Sequence, residues 1–448
     1  MSSWLIANPI PDTSHCCNKD LNGGYGTLDQ VGNNLYSIFL SRAKKKYIKL
    51  PILSLAYLNS ILKSKGKNVS YSESYEGCLN KAKNSEIEAC IVYGSIVASK
   101  LENKLIKKLK EIRSDIFVIV VGTFPSKFPE LFETADLILK GEPEKFFMDW
   151  DGKVTSLYSK EKFLESTIID NLDSLPTTNF NAMSPMKHSY RPMLPSPTCF
   201  LEASRGCPYS CGYYCTYGEM QGKLIRSYKA SRVVSNMLKM RSNYGFKSFQ
   251  FRDPVFGLKK GFIDEFCLEI IKNGYDFIWG IETRSDLLDE QKLRLMVLAG
   301  LRSINIGIET PNMKIAASNK RKTDEIDHQK FIIKACKNFG IKVNAFYILG
   351  LENDTYETCL ETINYSIKID TYMARYSVCT PYPGTMFYLD LFNSGRIIDE
   401  DLSNYNQQNL VFNHKSLTPD SIKKLISLAY TKFYIRPKKI ISLCKSII

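Results

Sequence analysis

The chain has 448 residues, too long for one ordinary core and long enough for two or three domains. Its 44% hydrophobic and 24% charged residues are the balance of a folded, water-soluble protein, which excludes a disordered chain. The net charge of +14 comes from lysines spread along the whole length and reads as a solvated surface; no arginine stripe interleaved with aromatics points to nucleic acid.

In chain order, residues 1–150 alternate short apolar runs with segments of helical period. Leu5–Ala7 reads as a first strand and Leu53–Lys65 as a helix. Asn68–Tyr71 and Ala89–Tyr93 follow as strands, then a helical stretch Leu101–Ile112, the β-branched strand Phe117–Val121 and the strand Ala135–Leu139. Strands alternating with helices predict a doubly wound parallel sheet, which binds ligands outside the carboxyl ends of its strands. The loops there are Asn8-Pro9, Gly94-Ser95, Gly122-Thr123-Phe124-Pro125 and Gly141-Glu142. Residues 151–197 hold five prolines at 176, 185, 192, 195 and 197 with little periodicity, and read as a linker.

A second series starts at residue 198. Its strands are Cys199–Ala203, Ser248–Phe251, Phe277–Glu282, Ser303–Ile308, Lys342–Leu349 and Ala374–Val378. Helical segments Ala230–Tyr244, Phe262–Asn273, Asp289–Leu298, Asp324–Phe339 and Thr355–Ile369 separate them. Six strand–helix units predict a partial (β/α)6 barrel over 198–390, with its site at the carboxyl ends of the strands. Residues 391–448 read as a helical segment in which Ile422, Leu425, Ile426 and Ala429 share one face. Its basic tail at Arg436, Lys438 and Lys439 is expected to pack on the barrel with its lysines exposed, contact with a membrane surface being the alternative.

The chain carries thirteen cysteines but only four histidines, no two of which are spaced as a zinc pair. The N-terminus lacks a basic segment ahead of its apolar run, and no stretch approaches the ~20 apolar residues of a membrane span. A cytoplasmic location is therefore expected, and with it reduced thiols and metal ligation rather than disulfides. Cys207, Cys211 and Cys215 fall in one loop straight after the first barrel strand, at the site end. Three close thiolates suit soft metal ligation, and an iron–sulfur cubane that normally takes four protein ligands would keep one iron open.

On these residues the chain resembles the radical S-adenosylmethionine superfamily, within it the class with an N-terminal cobalamin-binding domain. The superfamily spaces its cysteines C-x3-C-x2-C with an aromatic before the last; here Tyr214 precedes Cys215, but the spacing is C-x3-C-x3-C. The loop is expected to bulge at Gly212-Tyr213 and still deliver Cys215. The resemblance implies a 4Fe-4S cluster on Cys207, Cys211 and Cys215. It also implies that Asp253, Arg284 and Glu309, at successive strand ends, contact S-adenosylmethionine. A carboxylate suits the methionine ammonium and a guanidinium its carboxylate. For residues 1–150 it implies cobalamin, held at Asn8, Ser95, Gly122, Thr123, Gly141 and Glu142. The D-x-H-x-x-G motif is absent, so His15 reads as a loop residue rather than a cobalt ligand.

The function so implied is a cobalamin-dependent radical enzyme that methylates an unactivated carbon of a small or lipid-like metabolite through a 5′-deoxyadenosyl radical. A reductase, flavodoxin or ferredoxin would supply electrons. Three alternatives stand beside it. One is a radical cyclase or rearrangement enzyme with cobalamin structural or absent. Another is a methylthiotransferase using Cys16 or Cys17, Cys78 and Cys90, and the last a non-catalytic cluster or corrinoid sensor.

Overall fold

The structure is a computed structural model that describes residues 2–13, 16–29, 35–158, 160–322 and 324–447. His15 lies outside the described residues. Apolar runs bounded by turn residues form two six-stranded parallel sheets. The first contains β1 (Ser3–Ala7), β2 (Asn68–Ser72), β3 (Ile87–Tyr93), β4 (Phe117–Val121), β5 (Leu137–Lys140) and β6 (Phe163–Glu165), in the order β2-β1-β3-β4-β5-β6. Its central strand β4, Phe-Val-Ile-Val-Val, is buried throughout because helices cover both faces. The order reverses between β1 and β3, where the loops that follow them diverge and the buried Lys19 ammonium donates to the Pro9 and Tyr93 carbonyls.

The second sheet contains β7 (Thr198–Leu201), β8 (Ser248–Phe251), β9 (Trp279–Thr283), β10 (Leu301–Glu309), β11 (Lys342–Leu349) and β12 (Met373–Val378), paired in sequence order. This is the open six-unit barrel that the strand–helix alternation predicts. Four helices, Ala230–Tyr244, Phe262–Lys272, Ile326–Asn338 and Tyr356–Ile369, cover it with their apolar faces. The register of β10 against β11 shifts between Gly307 and Glu309, and Glu309 takes φ +66°. That irregularity turns the last residue of the strand out of the regular alternation.

Several elements differ from expectation. The helix Leu35–Tyr47 and the short hairpin of Cys16–Asn18 with Thr27–Asp29 were not predicted. Strand β6 lies within the segment read as a linker and pairs with β5. At three residues, two of them exposed, it is too short to show a period. The helix Pro419–Tyr434 buries Ile422, Leu425, Ile426 and Ala429 on the barrel as predicted. In the tail that follows, Lys439 is buried rather than exposed: its ammonium reaches Asp370 at 3.2 Å and donates to the Thr371 carbonyl. No helix among the described residues is long and apolar enough to cross a membrane.

Candidate functional site

The cysteine loop leaves β7 through Ser204-Arg205, which pairs antiparallel with Arg226-Ser227. Gly206 follows at φ +94°, where a Cβ would stand 2.0 Å from the Leu224 carbonyl oxygen, so only glycine fits this approach. Cys207 N–H then bonds Gly222 O at 3.0 Å. One 3₁₀ turn spans Ser210–Tyr213, and the N–H groups of Tyr214 and Cys215 both return to Cys211 O, at 3.2 and 3.0 Å. The additional residue is thus wound into a turn rather than bulged out, and Cys215 is delivered beside Cys211.

All three cysteines line one cavity of about 260 Å³ at the carboxyl ends of the barrel strands. A hydrogen bond with Cys215 brings the Cys211 thiol down to about 6, and the cations Arg321 and Arg284 add to the effect. Cys215 moves up, through the same bond and burial. Among the described residues no three Cys, His or acidic side chains gather tightly enough for a single metal ion. A cubane bonds each thiolate to a different iron, so its ligands need share a cavity and not a point. Three thiols on one wall beside two guanidinium groups, with no fourth protein ligand required, fit such an anionic cluster.

Arg284 and Glu309, predicted at this site, both line the cavity. Arg284 lies 4.2 Å over the Tyr209 ring and is held by Asp286 at 2.8 Å and the Lys322 carbonyl at 2.7 Å. Burial pushes the Glu309 carboxyl up, against the pull of Arg321 at 3.5 Å. Arg321 is a site residue that the sequence hid within Lys320-Arg321-Lys322, a run indistinguishable from ordinary surface charge. Its guanidinium donates to Gly307 O at 2.7 Å.

Asp253 does not reach this cavity. Its carboxylate turns back to accept from Ala203 N–H at 2.8 Å and Ser204 Oγ at 2.5 Å, fastening the base of the cysteine loop. Burial raises it to about 7. The neighbour Arg252 faces the cavity instead, against Glu282 and with Asp20 at 3.4 Å. Successive residues of an extended segment point to opposite sides, so only one of the pair could do so.

A second cavity, of about 360 Å³, opens at the carboxyl edge of the first sheet. Gly122, Thr123, Gly141 and Glu142 line it, as predicted, whereas Asn8 and Ser95 do not. Gly122 packs so closely on the preceding loop that a Cβ would meet Gly94 O at 2.5 Å. Ser95 is engaged by Glu102, which accepts from both its N–H and its hydroxyl at 2.9 Å and pairs with buried Lys19 at 2.7 Å. Asn8 donates to Tyr71 Oη at 3.1 Å, and its Oδ1 has no partner among the described residues. Glu142 is held by Arg226 at 2.8 Å; burial pushes its carboxyl up, but Arg226 and Arg205 bring it below the usual range.

Arg205 ties this cavity to the cysteine loop. It reaches Glu202 at 2.8 Å and Glu142 and Glu144 at 3.4 Å, all four side chains being buried. Tyr217, two residues beyond Cys215, and Arg252 line both cavities and form their common wall. Of the N-terminal cysteines, Cys90 sits at the centre of β3, Cys78 on the helix Tyr75–Ala82 and Cys16 in the hairpin; none lines either cavity.

Residues 201–365 match the Radical SAM superfamily. The barrel is thus a radical S-adenosylmethionine domain of an enzyme, and it follows a doubly wound parallel sheet. The chain is similar to an uncharacterised methyltransferase of Pyrococcus horikoshii, 26% identical over 359 residues that cover 75% of this chain and 76% of that one. Two solved structures share its fold over almost the whole chain. One is OxsB, a cobalamin-dependent S-adenosylmethionine radical enzyme with aqua-cobalamin and S-adenosylmethionine bound (TM-score 0.71, 13% identity, 99% of this chain and 70% of that one). The other is the radical S-adenosylmethionine methyltransferase TsrM from Kitasatospora setae, with cobalamin and a 4Fe-4S cluster bound (TM-score 0.67, 14% identity, 98% and 90%).

Proposed function

We propose that the protein is a cobalamin-dependent radical S-adenosylmethionine methyltransferase acting on a carbon of a small polar metabolite. The observation that carries this reading is the pair of cavities with a common wall at Tyr217 and Arg252, one of them lined by three cysteines. Cys207, Cys211 and Cys215 would hold the cluster, with Arg284, Arg321 and Glu309 beside S-adenosylmethionine, while Gly122, Thr123 and Gly141 would present backbone to the corrinoid. When bound, these groups supply reductive cleavage of the sulfonium, a 5′-deoxyadenosyl radical and a transferable methyl group.

The chain's own part is binding and orientation. Arg284 is fixed by Asp286 and Tyr209, so it offers a preset cation to a carboxylate. Gly122 and Gly141 carry no side chain, which lets a large flat ligand approach the strand ends. Residues 1–150 would be the corrinoid domain, 198–390 the radical barrel and 391–448 its helical cover. Deep in the first cavity Tyr190 and Asn305 hydrogen-bond each other, Asn344 donates to Asn305 at 3.2 Å, and Asn344 Oδ1 has no partner among the described residues. A floor of this kind favours a substrate with a polar donor over a bare alkyl chain.

Anaerobic reconstitution should give a protein containing iron, sulfide and cobalt that releases both S-adenosylhomocysteine and 5′-deoxyadenosine under reduction. Release of 5′-deoxyadenosine alone, with no bound cobalt, would replace methylation by rearrangement. Failure to assemble any cluster would sink the reading altogether.

A further inference from the structure

The first cavity has polar groups on two levels of the barrel wall. At the strand ends stand the three cysteines with Arg284, Arg321 and Glu309. Along β10, Asn305 lies four residues before Glu309, about 13 Å deeper at ~3.3 Å per residue. Asn344 on β11 is in register with Asn305, and two residues further on Phe346 is in register with Arg375 on β12. All four of these deeper residues line the cavity. Three other guanidinium groups on its wall face carboxylates: Arg252 meets Glu282, Arg284 meets Asp286 and Arg321 meets Glu309. Arg375 donates to the neutral Thr27 Oγ1 at 3.3 Å and Gln407 Oε1 at 3.2 Å. Gln407 stands at φ +67°, a conformation that a residue with a Cβ rarely adopts and that persists where the surroundings fix it. Its carbonyl accepts from Val378 N–H at 2.8 Å, and its amide donates to Asn22 Oδ1 at 2.8 Å. Asn344, only 7% exposed, donates its Nδ2 to Asn305, and its Oδ1 has no partner among the described residues.

We propose that Arg375, set by Gln407, anchors the anionic group of the substrate, and that Asn344 accepts a hydrogen bond from a hydroxyl or amine on the same molecule. The substrate class is then a hydroxy- or amino-bearing anion, either a carboxylic acid or a phosphate ester. Calling that anion the substrate rests on the methyltransferase reading; the anion site itself does not require the cluster. A guanidinium matches two oxygens of a carboxylate or phosphate at once, and such a pair is stronger inside a cavity than in open water. Strand spacing sets the Cα atoms of Arg375 and Asn344 about 8 Å apart, a span that one small molecule bridges. The buried Asn344 oxygen adds selectivity, because a ligand without a donor leaves it unsatisfied. Arg284, at the strand ends, serves a different carboxylate, and the depth of the barrel keeps the two anions apart.

The test is ligand-observed saturation-transfer NMR on the full-length protein, before and after anaerobic cluster reconstitution. The probes are glycerate, glycerol 3-phosphate, propionate and glycerol. The wild type should bind the two hydroxylated anions, propionate more weakly and glycerol not detectably. Arg375→Gln should lose affinity for both anions on the order of 10- to 100-fold, and Arg375→Lys, which keeps the charge, should recover part of it. Asn344→Leu should weaken glycerate and leave propionate unchanged. Binding of S-adenosylmethionine to the reconstituted protein, followed by equilibrium dialysis, should be the same in all of them. Tighter binding of glycerate than of glycerol 3-phosphate supports a carboxylic acid, and the reverse a phosphate ester. Failure of the wild type to bind either anion, or equal binding by wild type and Arg375→Gln, would overturn the anchor. Loss of S-adenosylmethionine from Arg375→Gln would overturn it too, by assigning Arg375 to the cofactor. A protein that assembles no cluster but binds glycerate through Arg375 would sink the proposed function and leave the anchor standing.

Discussion

Arg205→Met should destabilise the fold in a strongly pH-dependent way. The substitution keeps most of the volume but removes the cation shared by Glu142, Glu144 and Glu202, whose side chains are 8%, 2% and 7% exposed. At an effective dielectric constant of about 20, each contact at 2.8–3.4 Å is worth roughly 5 kcal/mol before desolvation. Breaking a buried ion pair on one side typically leaves a net loss of about 3–5 kcal/mol. Glu142 retains Arg226, so the exposed deficit falls on Glu144 and Glu202. Burial already raises Glu144, and without Arg205 its folded-state value climbs further above the unfolded one. For a carboxyl raised in this way the penalty is present above the unfolded value, near 4.3, and disappears as pH falls toward it. Protonating one such group costs about 4 kcal/mol at pH 7.5 and about 1.6 kcal/mol at pH 5.5. Urea denaturation of wild type and variant at these two pH values should therefore show a deficit of about 3–5 kcal/mol at the higher pH that shrinks by about 2–3 kcal/mol at the lower. Because Gly206-Cys207 follows directly, iron incorporation should fall as well. A deficit below about 1 kcal/mol, or one independent of pH, would refute the reasoning.

Three further outcomes are expected. Cys215→Ala should leave the far-ultraviolet circular dichroism unchanged yet abolish iron and sulfide incorporation; a full complement of iron in the variant would remove Cys215 from the ligand set. Gly206→Ala should cost at least about 2 kcal/mol, since a left-handed backbone and a carbonyl 2.0 Å away both oppose the methyl group. Gly245→Ala, at φ +67° with open space around it, should cost only about 1 kcal/mol, and equal urea midpoints for the two would contradict the packing argument. Asp253→Asn can still accept from Ala203 N–H while donating to Ser204, without the buried charge. Because burial raises Asp253 from 3.8 to about 7, the wild type loses stability as pH rises through that window. The variant should accordingly gain on the wild type between pH 5 and 8, and a constant difference across that range would show that Asp253 is not raised.

Much of the architecture was legible because parallel strands buried on both faces are rich in apolar residues, unbroken in Phe117–Val121 and interrupted by Gln250 or Asn344 elsewhere. Phe117–Val121, Ser248–Phe251 and Lys342–Leu349 have the predicted bounds. The helix Leu35–Tyr47 escaped notice because it exposes Leu35 and Phe39 while burying Ser37 and Ser41, which inverts the usual apolar period. At the site, the cysteines were legible from local spacing alone. Asp253, Asn8 and Ser95 were placed at strand ends correctly but engage the protein itself. Whether a strand-end side chain faces the cavity or a neighbouring loop depends on partners distant in sequence, as with Asp253 on Ala203 and Ser204 or Asn8 on Tyr71. Arg321 and Arg205 acquire their roles only through such partners, Glu309 in one case and the Glu142–Glu144 loop in the other.

The additional residue between Cys211 and Cys215 shows how local and tertiary constraints combine. With three residues between them, Cys215 N–H can close onto Cys211 O, a spacing that suits one helical turn. The turn needs no bulge, so Cys215 keeps its place on the cavity wall. What changes is the direction of the residue gained. Tyr214 lines the cavity, while Tyr213, half-buried like it, packs on Phe387 beneath Lys320. The departure in spacing thereby leaves all three thiols on the cavity and changes the packing above them, where Tyr213 meets the helix Met386–Asn393.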